Sequence, residues 1–82
     1  MKVVVYTKDN CSYCSKAKAL ISSKGLSYEE LKVGEDLIRE DFMSIFPHVK
    51  TMPFIMIDGK QIGGFNDLVE YFNNKQEFLV EG

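Results

Sequence analysis

The 82-residue sequence has no tryptophan, a single histidine, two prolines and only two cysteines. Two cysteines separated by two residues can close only a tiny loop. That excludes the disulfide framework by which small secreted domains are held together. No apolar run approaches the ~20 residues of a membrane-spanning helix, so none is expected. The first apolar stretch, Val3 to Thr7, is broken by Lys8 and Asp9 and is followed by no small-residue cleavage site, so it does not read as a signal sequence. Net charge is −2, from ten basic and twelve acidic residues, which argues against a nucleic-acid partner. Structural zinc wants four ligands, and two cysteines with one histidine fall short of them. These absences leave a soluble chain expected in the cytoplasm, a reducing compartment where a C-x-x-C is more often catalytic or metal-binding than structural. The length fits one small domain spanning residues 1–82, with 45% hydrophobic residues to build its core.

The two cysteines that are present carry the most information. Cys11-Ser12-Tyr13-Cys14 follows the strand-like run Val3-Val4-Val5-Tyr6-Thr7 and precedes a helix-like segment, Ser15 to Lys24. C-x-x-C at a strand-to-helix junction is the usual sign of a thioredoxin-like redox site. A helix N-terminus offers unpaired N–H groups and the positive end of the helix dipole, and both favour a thiolate, the nucleophilic form of cysteine. Charge supports this placement. Residues 1–26 carry five lysines against Asp9 alone, whereas residues 27–82 carry five basic and eleven acidic residues. The positive share therefore surrounds the cysteine pair, where it would attract an anionic thiol substrate. A solvated lysine face on the first helix accounts equally well for Lys16, Lys18 and Lys24. Lys8, in the loop before Cys11, is the lysine expected to act at the site.

Periodicity and punctuation give the order of elements. Residues 2–7 read as a buried strand and residues 12–24 as a helix with Ala17, Leu20 and Ile21 at helical spacing, stopped by Gly25. Residues 27–33 read as a second strand with Tyr28, Leu31 and Val33 directed to the core. This β-α-β unit implies parallel strands. Gly34-Glu35-Asp36 turns into a second helix, residues 37–46, in which Ile38, Phe42, Ile45 and Phe46 share one face and Pro47 ends the pattern. Residues 54–57 form a strand, Asp58-Gly59 a hairpin turn, and residues 60–62 its partner. A third helix over residues 66–74 places Phe65, Leu68, Val69 and Phe72 on one face, and residues 75–82 read as a helical turn or frayed end. The expected fold is α/β, a four-stranded mixed sheet in the order β-α-β-α-β-β-α, with the first and third helices on one face and the second on the other. That is the thioredoxin-like architecture in its minimal form.

Cys11-Ser12-Tyr13-Cys14, Thr51-Met52-Pro53 and Gly63-Gly64-Phe65-Asn66-Asp67-Leu68, together with Tyr6-Thr7-Lys8, closely resemble a glutaredoxin across essentially the whole chain. The resemblance implies a glutathione-dependent thiol–disulfide oxidoreductase in which Cys11 is the nucleophile and Cys14 the resolving thiol. It implies glutathione as reductant and co-substrate, with glutathionylated or disulfide-containing proteins as partners, a ribonucleotide reductase among them, and a monomeric state. It implies a glutathione site made by Lys8, Tyr13, Thr51, Met52, Pro53, Gly64, Phe65, Asn66 and Asp67. In this family the proline corresponding to Pro53 is cis and faces the cysteines. The Met52 backbone would then pair with the glutathione cysteinyl backbone as an added strand. The helix start after Gly63-Gly64 would take the γ-glutamyl carboxylate and Asp67 the γ-glutamyl amine. Asn66 or Asp67 can also serve as a helix cap, and Tyr13 can equally be a surface aromatic packed on its helix. For the glycyl carboxylate Lys8 is the candidate, with Lys50 or His48 beside it; Arg39 is the only basic residue of the second helix.

Ser12 departs from the proline of many glutaredoxins. Some members with C-S-Y-C hold a [2Fe–2S] cluster between two subunits through the first cysteine and glutathione, so Cys11 is also a candidate cluster ligand and a cluster carrier or sensor is the alternative function. A thioredoxin-like protein served by a flavoprotein reductase is a further alternative. The double glycine and the lack of a tryptophan beside C-x-x-C weigh against it.

Overall fold

Three consecutive valines followed by Tyr6 and Thr7 favour extended backbone, and they form strand β1 (Val3–Thr7). The computed structural model describes the backbone of residues 1–81 and the side chains of residues 1–74. Val3, Val5 and Thr7 are buried on one face of β1, while Val4 and Tyr6 are half-buried on the other. A strand covered on both sides belongs in the middle of a sheet. Accordingly β1 lies between a parallel neighbour, β2 (Glu29–Lys32), and an antiparallel one, β3 (Phe54–Ile57), which in turn pairs with β4 (Lys60–Gly63). Thr7 faces Lys32 in the parallel pair and Tyr6 faces Phe54 in the antiparallel pair. Asp58 and Gly59 both take positive φ, 51° and 79°, as a tight hairpin turn requires.

Helix α1 (Ser12–Ser23) ends where expected. Gly25 adopts φ +74°, and its N–H and that of Lys24 bond back to Ser22 and Ile21 carbonyls at 3.0 and 3.1 Å. Helix α3 (Phe65–Glu81) packs beside α1 on one face of the sheet, around Val5, Ala17, Ile21, Ile55, Ile57, Leu68 and Phe72. Helix α2 (Arg39–Ile45) covers the opposite face, where Phe42, Phe46, Val49 and Phe54 enclose the Tyr6 ring. The mixed four-stranded sheet, the element order and the distribution of helices match the expectation from sequence.

Three expectations need correction. The second strand is shorter than residues 27–33. Tyr28 and Val33, which flank it, are half-buried against the two core clusters as expected. Leu31, on this edge strand, is half-buried and belongs to neither cluster. The second helix begins at Arg39 rather than Leu37, since Leu37 makes an isolated parallel bridge to Val33 and Ile38 keeps an extended backbone with ψ 148°. Phe42 in this short helix and Phe46, which caps its C-terminus, are the residues that reach the sheet. Ile38 and Ile45 are 59% and 61% exposed instead of lying on the buried face. Helix α3, expected over residues 66–74, continues through Glu81 in place of a helical turn or frayed end, and Gly82 lies outside the described residues.

Phe42 stacks at 5.2 Å on Tyr6 and 5.3 Å on Phe46 with its side chain fully enclosed. Phe42→Ala should therefore lower unfolding free energy by ~3–5 kcal/mol. Ile45→Ala should change it by no more than ~0.5 kcal/mol. Urea unfolding of the two variants checks the difference.

Candidate functional site

β1 stops at Thr7, and a three-residue loop with Asn10 in the left-handed region (φ 56°) turns the chain into α1. Cys11 occupies the residue just before that helix, with extended backbone (φ −121°, ψ 100°), and its sulfur accepts the Cys14 N–H at 3.1 Å. A serine or aspartate oxygen ordinarily does this work at a helix start. Here a sulfur does it, so on reduction a Cys11 thiolate would be met by that N–H and by the positive end of the helix. Cys11 is half-buried, Cys14 is 3% exposed, and the two are joined as a disulfide.

The Thr51–Pro53 segment reaches the same place from 41 residues away. The Met52 carbonyl oxygen lies 3.6 Å from the Cys11 sulfur, and the Met52–Pro53 peptide bond is cis. The start of α3 completes the wall. Gly64 offers its carbonyl to the Leu68 N–H at 3.0 Å, and the Asp67 carboxylate reaches back to accept the Gly64 N–H at 3.0 Å. This is the return half of a capping box, which leaves the first-turn N–H groups of the helix without intrahelical acceptors. Gly63 sits at φ +120°, and a Cβ there would collide with the Asp67 carboxyl group, its carbon 2.9 Å away. Gly63 is therefore required by the packing of Asp67, whereas a Cβ on Gly64 would meet the Pro53 carbonyl oxygen at an ordinary 3.7 Å.

Between these elements opens a cleft of about 550 Å³. Lys8, Cys11, Tyr13, Thr51, Met52, Pro53, Gly64, Phe65, Asn66 and Asp67 all line it, so the cysteine nucleophile and the nine residues expected to bind glutathione are brought to one cavity, while Cys14 is buried beneath it. Asn10 and Ser12 also line it and had not been singled out as ligands. Tyr13 is 53% exposed. Its ring packs 5.9 Å from Phe65 and carries the Lys16 ammonium at 5.0 Å, so it is a surface aromatic and a cleft wall at once. Lys8 has no ion-pair partner among the described residues. His48 is turned away and shares a 2.6 Å hydrogen bond with Gln61. Lys50 and Arg39 line a separate hollow of about 260 Å³ that meets the cleft at Lys8, Thr51 and Met52.

On the other side of the cysteines lies a polar network not visible in the sequence. The Thr7 hydroxyl, 1% exposed, donates to Glu30 at 2.7 Å, and Lys18 donates to both Glu30 oxygens at 3.2 Å. The Thr7 hydrogen bond, aided by Lys18 and Lys32 and opposed by partial burial, holds the Glu30 carboxyl below its ordinary value of 4.5. Parallel pairing of β1 and β2 places Glu30 beside Thr7, and no local pattern in the sequence signals it.

The family model described as Glutaredoxin matches residues 3–62. The chain belongs to the glutaredoxin family. It is 44% identical over 66 residues to Glutaredoxin 3 of Escherichia coli (strain K12), covering 80% of each chain. Among solved structures it resembles glutaredoxin 1 from Francisella tularensis, complexed with cacodylate, at 30% identity and TM-score 0.76, covering 93% and 96% of the two chains. It also resembles the buckwheat glutaredoxin–glutathione complex at 28% identity and TM-score 0.74, covering 89% of this chain and 69% of that one. The sheet with its three helices is thus the thioredoxin-like fold, and Cys11 and Cys14 form the C-x-x-C pair of a thiol–disulfide oxidoreductase. The glutaredoxin match stops short of Gly63 and Gly64, and the place of Gly64 in the cleft rests on geometry.

Two outcomes are expected. Gly63→Ala should cost more than ~1 kcal/mol of stability through the left-handed backbone and the displaced Asp67 cap, read by urea unfolding. For Glu30, a carboxyl whose folded pKa is depressed stabilises the fold above its unfolded pKa and loses that contribution as pH falls through the folded value. The stability gap between wild type and Glu30→Gln should therefore be largest near neutrality and shrink steadily below about pH 4.5, as followed by urea midpoints across pH.

Proposed function

We propose that this glutaredoxin uses glutathione to reduce glutathione mixed disulfides and protein disulfides, acting as one domain and as a monomer in a reducing compartment. The observation that carries the reading is the position of the Cys11 sulfur. It caps α1 and opens into a cleft whose far end is the start of α3. The cleft volume of about 550 Å³ falls within the ~300–1,000 Å³ of small-molecule sites. Support also comes from the structural likeness to a glutaredoxin solved with glutathione.

In the proposed reaction the Cys11 thiolate attacks the glutathione sulfur of a mixed disulfide, and the protein thiolate leaves and takes up a proton. A second glutathione thiolate attacks the bound glutathione sulfur, forming glutathione disulfide and returning Cys11 as a thiolate. Each cycle consumes one free glutathione and yields the protein thiol and glutathione disulfide, the other half of which comes from the substrate. With a protein disulfide, Cys11 forms the mixed disulfide and Cys14, buried one helical turn on, attacks Cys11 to release the reduced protein. Two glutathiones then reopen the Cys11–Cys14 bond. The Met52 backbone pairs with the glutathione cysteinyl unit, and Thr51 and Pro53 hold that segment beside Cys11. The first-turn N–H groups at Phe65 and Asn66, following Gly64, meet the γ-glutamyl carboxylate. Asp67 has one oxygen on the Gly64 N–H, and the other is assigned to the γ-glutamyl amine. Lys8 meets the glycyl carboxylate, and Tyr13 closes the side of the groove. The site offers a [2Fe–2S] cluster one accessible cysteine sulfur per chain, and the proposed cycle runs through no cluster.

The test is reduction of a glutathionylated peptide by glutathione, coupled to glutathione reductase and NADPH, for wild type, Cys11→Ser and Cys14→Ser. Turnover should fall at least about a hundredfold in Cys11→Ser. It should survive in Cys14→Ser, which loses reduction of protein disulfides. Robust turnover by Cys11→Ser, or none by wild type, would overturn the assignment.

A further inference from the structure

The loop that leads into Cys11 carries the only acidic residue of residues 1–26, Asp9. A carboxylate two residues before the nucleophile works against it. It repels a thiolate, and it repels the anionic thiols and disulfides that would approach one. In the structure it is met by a cation from the acidic part of the chain. Lys32, the last residue of β2, holds an Asp9 oxygen at 3.2 Å.

Strand register brings Lys32 to this loop. Thr7 ends β1 opposite Lys32, and the Val33 N–H donates to the Thr7 carbonyl at 2.9 Å. The following turn fixes the Lys32 backbone. Its N–H donates to the Asp36 carboxylate at 2.8 Å, and its carbonyl accepts the Glu35 and Asp36 N–H groups at 3.1 and 2.8 Å. Glu35 is the more distant partner of the ammonium, at 3.8 Å. Asp9, Lys32 and both cysteines line one hollow of about 500 Å³, which shares no residue with the start of α3. Its charged residues are Lys8, Lys18 and Lys32 against Asp9 and Glu30. Lys18 is paired with Glu30 and Lys32 with Asp9, which leaves Lys8 as the uncancelled charge.

Taking Cys11 as the nucleophile of the proposed function, we propose that Lys32 is a positioning residue for its reaction. By holding Asp9 it cancels the carboxylate of the Cys11 loop, keeps that carboxylate out of the approach to the sulfur, and so leaves Cys11 open to anionic reactants. The pair is exposed and adds little to stability. What it changes is the potential met by an arriving anion. One unit charge inside the screening length alters such an encounter rate roughly two- to threefold.

The experiment uses the full-length Cys14→Ser chain, in which Cys11 is the sole thiol, and two alkylating probes, anionic iodoacetate and neutral iodoacetamide. In each reaction the Cys11 thiolate attacks the methylene carbon and iodide leaves with the electron pair. Rates are taken on the alkaline plateau of the iodoacetamide reaction, where Cys11 is all thiolate. Lys32 keeps its charge there, because its hydrogen bond to Asp9 raises its pKa above the ordinary 10.5. The iodoacetate-to-iodoacetamide ratio then reads the charge met by the reagent.

Lys32→Met should lower that ratio roughly two- to threefold, and Lys32→Arg should preserve it. Asp9→Asn should raise it. In the Asp9→Asn background, Lys32→Met should change it by no more than about 1.5-fold, because Lys32 acts through Asp9. In 1 M KCl, where screening shortens to ~3 Å, the differences should vanish. An equal effect of Lys32→Met in both backgrounds overturns the proposal, since Lys32 would then act as a charge of its own. So does an equal slowing with iodoacetamide, which would mean a misshapen loop, or a difference that persists in 1 M KCl. Failure of the wild-type chain to turn over a glutathionylated peptide would sink the functional reading instead. An unchanged ratio in Lys32→Met with that turnover intact overturns this inference alone.

Discussion

Cys11 stands where a helix ordinarily recruits an oxygen to satisfy one of its free N–H groups, and its sulfur accepts the Cys14 N–H at 3.1 Å. The bond ties three things together. It starts α1, it places the reactive atom at the positive end of the helix dipole, and it fixes the spacing to the second cysteine, because the donor is Cys14 itself. A residue inserted between the cysteines would separate the cap from Cys14. The C-x-x-C spacing is therefore a helix-capping constraint as much as a redox motif.

The sheet holds that cap in place. β1 is covered on both faces, by α1 and α3 on one side and by the Phe42–Phe46–Phe54 cluster on the other, so its C-terminal end has little freedom. The antiparallel pairing of β1 with β3 sets the height at which Thr51 to Pro53 enters, and with it the approach of the Met52 carbonyl to the Cys11 sulfur. The β3–β4 hairpin then delivers Gly63 and Gly64 to the opposite wall, where the Asp67 cap begins α3. Two helix starts thus face one cleft, each with N–H groups free of intrahelical acceptors. The arrangement suits a thiolate at one end and a carboxylate at the other.

Charge around the cysteines is divided by function rather than spread evenly. Lys18 is committed to Glu30, and Lys32 to Asp9 and Glu35. Lys8, Arg39 and Lys50 lack ion-pair partners among the described residues and line the cleft or the hollow beside it. Of the lysines that made the N-terminal part of the sequence positive, Lys18 is structural, Lys16 lies over Tyr13, and Lys8 is the one open to a ligand.

The sequence by itself determined the order of elements and the chemistry. β1, α1 and the Asp58-Gly59 hairpin were legible because period, β-branching and glycine punctuation act within a few residues. The C-x-x-C was legible because the N-terminus of α1 lies next to it in the chain. Tertiary structure decided what no short window contains. It moved the start of α2 to Arg39, because Leu37 is drawn into a bridge with Val33, and it left Ile38 and Ile45 in solvent. It paired Thr7 with Glu30 across a parallel register, a contact between residues 23 apart, and it set the Arg39–Lys50 hollow beside Met52. Those outcomes depend on strand register and on how far a seven-residue helix reaches across the sheet. Register is fixed only when the whole core closes, since a slip of one residue turns every side chain of a strand to its other face.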